Sequence, residues 1–531
     1  MSSARVGTPP TNWTSNVSVL LVLVLLLALA FRLATFNGMF GSDDLVYYAR
    51  ATLLANGDWT SANYNGALRY GFNLPAAGFI ALFGESPFIA NLWPLVCSLI
   101  EIGAVYAFTN AVMNRRAALF AALLLATAPL HMAVSTRIHA DPVVSMFLTV
   151  SFVMLYFGLQ RNRSALLFGA GLSIGGIFWA KELAAVTWFA FLPLLWFFRG
   201  RWPRVLPVIA GTVLIMLLHL GLMTVIAGDP LHLVKVVLGA LTRNFIDGAQ
   251  GEDAATYYLH YLFVDLRHVG VLAYLALASL WLTPRWLGMQ RQPIAGFSFV
   301  LIWWIGVIVI LSVFPVSFSP LRFTMKQSNY ITLFLAPTAA LAGMALASMP
   351  RWAGRLAVAL TVCLGLLLGA LQQADYRAFT ANSKAVAALA VEYPQALVVG
   401  SQNNSQLGNF WARLEYPGAP SATIFSFRDI VERPSEFQAA QGKANAIFAV
   451  LDRQTMNWFA GALPVTKPLP CWMPLQSLSP QGLGLGNALA ASIYSVLHPF
   501  RLADEMFARL ALPQRADVYR VNGIDVLCRG G

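Results

Sequence analysis

The sequence predicts an α-helical protein that crosses a membrane many times and ends in a small α/β domain. Three observations lead to this fold class. The chain of 531 residues is 58% hydrophobic and only 11% charged, whereas soluble globular proteins are about 25% charged. Apolar runs long enough to cross a bilayer recur up to residue 372. From residue 373 onward they give way to short apolar segments separated by turn residues.

Eleven apolar stretches of roughly 17–25 residues qualify as membrane spans. They lie at 17–35, 88–112, 117–133, 141–159, 164–179, 183–198, 205–227, 269–283, 295–314, 328–348 and 353–371. No small-residue cleavage site follows the first run, so we interpret it as a retained span and not as a signal peptide. Residues 1–372 therefore form a predicted membrane module, with a first external loop at 36–87 and a long loop at 228–268.

Basic residues between the spans predict the orientation of the chain. They occur in five loops on one side: Arg115 with Arg116, Arg161 with Arg163, Arg199 with Arg201 and Arg204, Arg285 with Arg291, and Arg351 with Arg355. Arg5 lies on the same side, which the positive-inside rule makes cytoplasmic. An odd number of spans then places the C-terminal domain, residues 373–531, outside. The Ala- and Leu-rich composition is typical of bacteria, so we expect the inner membrane and a periplasmic domain.

Nucleic acid is not an expected partner, although the net charge is +12. The basic residues form short groups between apolar runs and no continuous basic patch, and such groups usually fix topology. The sequence also contains no Walker loop, no G-x-G-x-x-G motif and no His/Cys cluster with metal-ligand spacing. The expected surroundings are a lipid bilayer.

The C-terminal region has the pattern of an α/β domain. QALVVGSQ (395–402) and NAIFAVLD (445–452) are short apolar runs bounded by polar residues, which predicts buried strands. SKAVAALAVEY (383–393) has helical spacing, and VYRVNGIDVLCR (518–529) is typical of a terminal hairpin with an Asn-Gly turn. Cys471 and Cys528 both lie in this external domain, where disulfides persist, so we expect them to pair.

The first external loop carries an acidic pair shortly after the first span. Residues 41–59 read GSDDLVYYARATLLANGDW. Ser42 is a good N-cap, Asp43 and Asp44 fall in the first helical turn, and an Asn-Gly pair ends the segment. The spacing of its apolar residues predicts a helix that lies along the membrane surface. The two acids have either the structural role of complementing the helix dipole or a chemical role.

Other ionisable residues recur at the same outer edge of the membrane. They are Arg137, His139 and Asp141 in segment 131–142, Lys181 and Glu182 in segment 178–186, and Arg322 and Lys326 in segment 321–330. Ionisable residues at membrane depth are costly and usually functional. Structural explanations remain open, since Asp141 could cap a helix and Lys181 could pair with Glu182. Acids beside cations at a water–lipid boundary suit a phosphate-linked substrate with a lipid tail.

The order of these motifs resembles one group of membrane enzymes. An Asp-Asp pair followed by Tyr, Ala and GDW precedes LPAA (74–77) and FGESPFIANLWPL (83–95). An R-x-x-x-D connection, the lysine at 181 and KQSNYITLFLAPTAALAG (326–343) follow. Over residues 17–345 this ordered set resembles the GT-C glycosyltransferases of the dolichyl-phosphate-mannose protein mannosyltransferase type (family 39-like). That grouping includes the bacterial aminoarabinose-to-lipid-A transferases.

The resemblance implies a GT-C fold and inverting transfer of a sugar from a polyprenyl-phosphate donor to an acceptor hydroxyl outside the cytoplasmic membrane. Asp43 would be the general base, and Asp44 is the second acid of the pair. The candidates for binding the donor phosphate are Lys181, Arg137, Lys326, Arg69 and His139, and those for a sugar or acceptor pocket are Asp141, Glu182, Tyr47 and Tyr70. A monophosphate donor needs no more cations than these, so we expect no obligatory metal, although a divalent ion could take part.

One segment departs from the pattern of the aminoarabinose transferases. Those enzymes carry an acidic–basic pair where this chain reads ALRYGFNLPAAGF (67–79), with Phe72 and Asn73 at the pair. The difference argues against aminoarabinose transfer to lipid A. Nothing in the sequence resembles the large luminal module of the eukaryotic mannosyltransferases, which argues against protein mannosylation. The sugar and the acceptor, whether lipid, glycan or protein, stay open.

Two other functions remain as alternatives. A transporter or flippase for a lipid-linked sugar would favour internal repeats and charged or broken helices at the bilayer midplane. The sequence shows no repeat, and its acids cluster at one outer edge. A ligase or polymerase for surface polysaccharide would use a diphosphate-linked donor and a large loop between late spans, without the early acidic pair.

Overall fold

The fold is known from a computed structural model that describes residues 19–198, 202–246, 254–290, 294–319, 321–418, 423–455, 465–503, 505–523 and 525–528. Arg5, Arg199, Arg201 and Arg291, which contributed to the orientation argument, lie outside the described residues. Within them the chain is mostly helical, and the sheet lies towards the C-terminal end. This arrangement confirms the predicted fold class.

Helices account for most of the first 380 residues. In chain order they are α1 (Val19–Ala34), α2 (Asp43–Ala55), α3 (Tyr70–Phe83), α4 (Pro87–Ala90), α5 (Leu92–Val112), α6 (Arg115–Ala126), α7 (Pro129–Ser135), α8 (Asp141–Arg161), α9 (Ser164–Ala180), α10 (Val205–Ala227), α11 (His232–Ile246), α12 (Tyr257–Phe263), α13 (Leu272–Met289), α14 (Ala295–Val313), α15 (Thr332–Ser348) and α16 (Arg351–Thr380). Glu182–Phe198 forms a 3₁₀ helix between α9 and α10. Each of the eleven predicted spans coincides with one of these helices or with the bent α6–α7 pair.

Not every predicted span has the full length of a membrane helix. Among the described residues, six helices are long and apolar enough to cross a membrane, and the α6–α7 pair, bent by 58°, makes a seventh if it counts as one span. Others are shorter apolar helices, including α1, α9 and Glu182–Leu194. The chain is a multi-pass membrane protein in which these described helices have 10–17 residues.

Helix α15 lies at the centre of the helical bundle. Its most apolar window is 94% buried by other parts of the protein, whereas the corresponding window of α10 is only 11% buried. A Cβ on Gly343 of α15 would lie 2.6 Å from the backbone nitrogen of Ala121 in α6, so the two helices touch through their backbones. Small residues are the usual means of close helix packing in a bilayer. The exposed apolar surface of α10 is therefore the surface that faces lipid.

A charged network is buried inside this bundle. Arg32 of α1 is fully buried and donates to Ser98 Oγ at 3.0 Å and to His131 Nδ1 at 2.7 Å. Since Nδ1 accepts, the ring proton lies on Nε2, which donates to Glu101 Oε2 at 3.1 Å. Ser145 also donates to Glu101, at 2.7 Å. The network joins α1, α5, α7 and α8, and it fixes α7 just before the segment that carries Asp141.

Replacing Glu101 with Leu is expected to destabilise the fold by about 3–5 kcal/mol, because it leaves the buried Arg32 cation without its compensating charge. The check is the thermal unfolding temperature of the purified protein in detergent. Ser98→Ala serves as the control, since it removes the hydroxyl that accepts from Arg32 and donates to the Leu95 carbonyl but leaves every charge in place, and it should cost only about 1–2 kcal/mol. Equal unfolding temperatures for the two variants would contradict a stabilising role for the ionic network.

The C-terminal sheet has five strands in the order β4-β3-β5-β7-β6. The strands are β3 (Ala396–Gly400), β4 (Ile424–Ser426), β5 (Ala446–Leu451), β6 (Trp472–Leu478) and β7 (Ala516–Val521), following the hairpin β1 (Pro315–Phe318) and β2 (Leu321–Phe323) in the membrane part. Strands β4, β3 and β5 are parallel, and β7 and β6 continue the sheet antiparallel. The strands predicted at 395–402 and 445–452 are β3 and β5, and buried parallel strands give such continuous apolar runs.

Helices flank this sheet and complete the sheet domain, the name used below for the part of the chain that contains β3–β7. They are α17 (Ser383–Glu392), α18 (Gln402–Glu415), α19 (Asp429–Glu432) and α20 (Pro434–Gln441). Two more helices of this region, α21 (Leu485–Leu497) and α22 (Glu505–Ala511), pack against α16. The helix predicted at 383–393 is α17. Because α16 runs unbroken from 351 to 380, it continues through residue 372, where we had drawn the domain boundary.

Two further predictions concern the end of the chain. Cys471 and Cys528 form the expected disulfide. The predicted terminal hairpin at 518–529 is wrong. Strand β7 pairs instead with β5 and with β6, which is far away in sequence, and the described residues 525–528 form turns. An Asn-Gly turn favours a hairpin between the segments on its two sides. Here both edges of β7 are already paired with β5 and β6, so the segment after the turn cannot pair with it.

Candidate active site

The turn before α2 is held by the second acid of the pair. Asp44 is 1% exposed, and its carboxylate accepts the backbone N–H groups of Phe40, Gly41 (3.2 Å) and Ser42 (2.6 Å). Ser42 occupies the N-cap position, but its side chain makes no capping hydrogen bond. Asp44 therefore has a structural role, because its carboxylate holds three backbone amides of the turn that precedes α2.

Asp43 is placed differently from its neighbour. Its side chain is 43% exposed, and it accepts a hydrogen bond of 2.6 Å from the hydroxyl of Tyr64. Nη1 of Arg69 lies 3.9 Å from its other carboxylate oxygen. The carboxylate lines a cavity of about 1010 Å³ between α2 and helix α18 of the sheet domain. Asp43 thus combines access to an open cavity with a hydrogen bond and a cation that fix its position.

The cavity has a mixed lining. On the side of the first loop its walls include Leu45, Tyr48, Leu53 and Glu85, and on the side of the sheet domain they include Gln406, Asn409, Phe410 and Arg413. Sugars are recognised by hydrogen-bonding groups beside apolar or aromatic surfaces, and both kinds of surface occur here. The cavity is large enough for a drug-sized or sugar-sized ligand.

Behind Asp43 lies a buried ion pair between Arg69 and Glu182. Both hydrogen bonds of the pair measure 2.9 Å, so the guanidinium binds the carboxylate with two nitrogens. Asn65 donates to the same carboxylate at 2.8 Å, and Arg69 also donates to the hydroxyl of Tyr47. Burial raises the pKa of Tyr47 to about 12, against the lowering effect of Arg69. Tyr47 is therefore neutral at physiological pH and does not act as a base.

A second buried cluster forms around Asp141, the first residue of α8. Nζ of Lys181 lies 2.7 Å from one carboxylate oxygen, and Nδ1 of His139 lies 2.8 Å from the other. Asn329 also donates to Asp141, and the Lys181 ammonium lies 4.4 Å from the centre of the Tyr330 ring. Lys181 pairs with Asp141 across 40 positions and not with its neighbour Glu182. The structural explanation that we had left open, a local Lys181–Glu182 pair, is therefore wrong.

The two buried clusters meet because Lys181 and Glu182 are adjacent residues. Charged groups thus follow one another from the cavity into the protein, in the order Asp43, Arg69, Glu182, Lys181, Asp141 and His139. We call this series the ionic chain. It places an accessible carboxylate beside one buried cation, Arg69, and a second buried cation, Lys181, further along the series. Buried cations beyond an accessible carboxylate suit a reaction that creates negative charge on a bound group.

The other sequence candidates lie apart from the ionic chain. Arg137 lies between the rings of Phe40 and Tyr376, 4.6 and 4.7 Å from their centres, so it supports the turn before Asp43. Lys326 is buried beside Phe323, at 5.4 Å from the ring centre. Tyr70 is fully buried and accepts a hydrogen bond from Arg50 at 2.8 Å. For Arg137, Lys326 and Tyr70 the proposed binding roles stay predictions.

The segment that departs from the aminoarabinose transferases is an interior segment here. Phe72 packs against the Tyr47 ring at 4.8 Å between centres. Asn73 is fully buried and donates to the carbonyl oxygens of Gly66 and Ala67 at 3.0 and 3.2 Å. The two residues at the position of the acidic–basic pair therefore support the loop that carries Arg69 and do not line the cavity.

Sequence reasoning missed several residues that surround Asp43 and Asp141. Tyr64 and Asn65 carried no signal beyond their place in the first loop, and the wall contributed by α18 lies more than 300 residues away in the chain. Asn329 and Tyr330 belong to the KQSNY motif, so that motif was the signal for them. Within the described ranges no group of three or more His, Cys, Asp or Glu residues could hold a metal ion; the metal question therefore stays a prediction.

Comparison with known proteins supports the resemblance drawn from the motifs. Residues 71–223 match the model of the family described as dolichyl-phosphate-mannose-protein mannosyltransferase. The fold is similar to that of ArnT from Cupriavidus metallidurans in the apo state, with a TM-score of 0.55 and 17% identity over 94% of this chain and 97% of that chain. The structure of ArnT bound to undecaprenyl phosphate gives a TM-score of 0.56 and 16% identity over the same shares.

The likeness extends to a second kind of enzyme. The oligosaccharyltransferase of Archaeoglobus fulgidus in the apo form matches with a TM-score of 0.51 and 15% identity over 88% of this chain and 74% of that chain. A comparison with the curated proteins finds no match. At such identities the likeness establishes the fold. The expected GT-C fold is confirmed, and so is the resemblance to the mannosyltransferase family.

Proposed function

We propose that this protein is a glycosyltransferase that moves a sugar from a polyprenyl-phosphate donor to an acceptor hydroxyl, with inversion at C1 of the sugar. The observation that carries the proposal is the position of Asp43, which has the cavity on one side and the ionic chain on the other. The family match over residues 71–223 and the undecaprenyl phosphate bound by ArnT support a lipid-phosphate donor.

In the proposed reaction the acceptor enters through the cavity, and its hydroxyl approaches Asp43. Asp43 takes the hydroxyl proton while the acceptor oxygen forms a bond to C1 of the sugar. The bond between C1 and the phosphate oxygen breaks, and its electron pair stays on the polyprenyl phosphate. Attack from the face opposite the phosphate inverts the anomeric centre. Tyr64 holds the carboxylate in place by its 2.6 Å hydrogen bond.

The cations of the ionic chain are proposed to stabilise the departing phosphate. Both are buried, where an interaction with a developing negative charge is stronger than in water. Glu182 and Asp141 would act on the donor through Arg69 and Lys181, whose positions they fix by hydrogen bonds of 2.7–2.9 Å. We therefore propose that the main role of these two acids is to position Arg69 and Lys181. Direct contact with the sugar becomes a secondary role.

The reaction is proposed to occur on the periplasmic side of a bacterial inner membrane. The basic residues of the connecting loops support a cytoplasmic N-terminus, and the ionic chain and sheet domain would then lie outside. The disulfide between Cys471 and Cys528 fits an oxidising compartment. The site in the proposed membrane module (1–372) and the proposed domain 373–531 would both face the periplasm. The acceptor would therefore be a molecule of the cell envelope.

The function is tested with the full-length protein in proteoliposomes and synthetic short-chain polyprenyl-phosphate sugars that carry a radiolabel. The expected result is release of polyprenyl phosphate with transfer of the label to components of a cell-envelope extract. Passage of intact donor across the bilayer without cleavage would instead support a flippase. Turnover restricted to the matching diphosphate donors would support a polysaccharide ligase or polymerase, and either outcome would reject the proposal.

A further inference from the structure

The turn that carries Asp43 is in contact with the sheet domain. We propose that Asn403 and Leu407 of α18 position Asp43 for catalysis, so that the sheet domain is a working part of the active site. The inference rests on the proposed function, because it concerns the placement of the proposed base. It assigns a role to two residues that lie 360 and 364 positions from Asp43 in the sequence.

Asn403 makes the polar contact. It is fully buried, and its Nδ2 donates to the backbone carbonyl of Phe40 at 3.0 Å, a bond that joins positions 363 residues apart. The N–H of the same Phe40 is bound by Asp44. The backbone at Phe40 is therefore held through its N–H from within the turn and through its carbonyl from the sheet domain. Asp43 follows three residues later, so its direction depends on both bonds.

Leu407 and Gly41 make the apolar contact. Gly41 has φ of +92°, a conformation that favours glycine. A Cβ at Gly41 would lie 2.7 Å from Nδ2 of Asn403 and 2.9 Å from Cγ of Leu407. The turn therefore presses its bare backbone against α18, and a side chain at position 41 would force the two apart. Leu407 itself is fully buried in the core that includes the membrane helices.

Neighbouring contacts extend this hold to both sides of the turn. The Phe40 ring stacks on Phe379 of α16 at 4.8 Å between centres, and Tyr48, one turn into α2, meets Phe410 of α18 at 5.1 Å. Asp43 thus lies between two points that are fixed by Phe379 of α16 and Phe410 of α18. A shift of about 1 Å in a catalytic group can cost about a hundredfold in rate. The contact with α18 is consequently expected to act on turnover.

The test compares Asn403→Ala and Asn403→Leu, which is similar in size to Asn and has no donor, with Asn382→Ala. Asn382 is also 1% exposed and bonds inside the sheet domain, to Asp452 and Gln514 at 3.0 Å, away from the turn. We expect both Asn403 variants to lower kcat about 10- to 100-fold with the KM for donor unchanged, and Asn382→Ala to leave kcat unchanged. Hydrogen exchange should accelerate at the amides of residues 41 and 42 in the Asn403 variants alone.

Leu407→Ala and the volume-conserving Leu407→Met give a second pair, with a loss of kcat expected only for Ala. They also keep the test decisive if an Asn403 variant fails to fold. Wild-type kcat and exchange in Asn403→Leu, or equal losses in Asn403→Ala and Asn382→Ala, would overturn the inference. Those results leave the proposed function standing as long as the wild type transfers sugar and Asp43→Asn does not, so the two failures are distinguishable.

Discussion

Asp43→Asn is expected to lower kcat for sugar transfer at least about a hundredfold, while the protein should fold and bind donor as the wild type does. The magnitude is that of removing a general base. Folding should be spared because the side chain is 43% exposed and its neighbour Asp44, not Asp43, holds the turn. Initial rates with a saturating labelled polyprenyl-phosphate sugar give kcat, and binding of unlabelled donor by competition gives the affinity.

Two other acids of the same loop serve as controls for Asp43→Asn. Asp58→Asn should keep wild-type turnover, because the Asp58 carboxylate accepts hydrogen bonds from the backbone N–H and the side chain of Thr60, two residues on. Asp44→Asn should lower the unfolding temperature, since it weakens the hold of a buried carboxylate on three backbone amides. Wild-type turnover in Asp43→Asn would remove the base from the mechanism. Equal losses in Asp43→Asn and Asp58→Asn would point to a general charge effect of the loop.

Local patterns predicted most of the fold because a membrane helix and a buried strand both require a continuous run of apolar residues. A helix surrounded by lipid needs a long apolar run, and a buried parallel strand needs a short apolar run. The spans and the strands β3 and β5 could therefore be predicted from the sequence. Arg32 and Glu101 were passed over for the opposite reason. Each is a single charge inside an apolar span, and their common partner His131 is 99 and 30 positions away. The residues next to Arg32 and Glu101 in the sequence give no signal that the two belong to one network.

The candidate site was predictable as a set of residues but not as a geometry. Asp43, Lys181 and Asp141 were found because ionisable residues are rare at membrane depth and therefore stand out. Lys181 pairs with Asp141, and Arg137 lies against the Tyr376 ring. Both contacts join segments that are 40 or more positions apart, so the sequence did not predict them. The resemblance had named Asp43 as the base, and the turn adds the physical difference between the two acids, since Asp43 is 43% exposed whereas Asp44 is buried and binds backbone amides.

Lys181→Met is expected to lower kcat about 10²- to 10³-fold, because it removes a buried cation from the side on which the departing phosphate gains charge. It should also lower stability by about 3–5 kcal/mol, since Asp141 is left buried without its partner at 2.7 Å. Turnover alone would then be ambiguous. Rates are therefore measured at a temperature at which the variant is still folded, with the unfolding temperature recorded beside them.

The double variant Lys181→Met with Asp141→Asn separates the two effects. Removing both charges abolishes the unpaired buried carboxylate, so most of the lost stability should return. If Lys181 only neutralised Asp141, turnover would return with it. If Lys181 stabilises the departing phosphate, the double variant stays at least about a hundredfold below the wild type although it is stable, because no cation replaces the lost ammonium. Recovery of turnover together with stability would therefore reject the catalytic role of Lys181 and leave Arg69 as the cation next to the reaction.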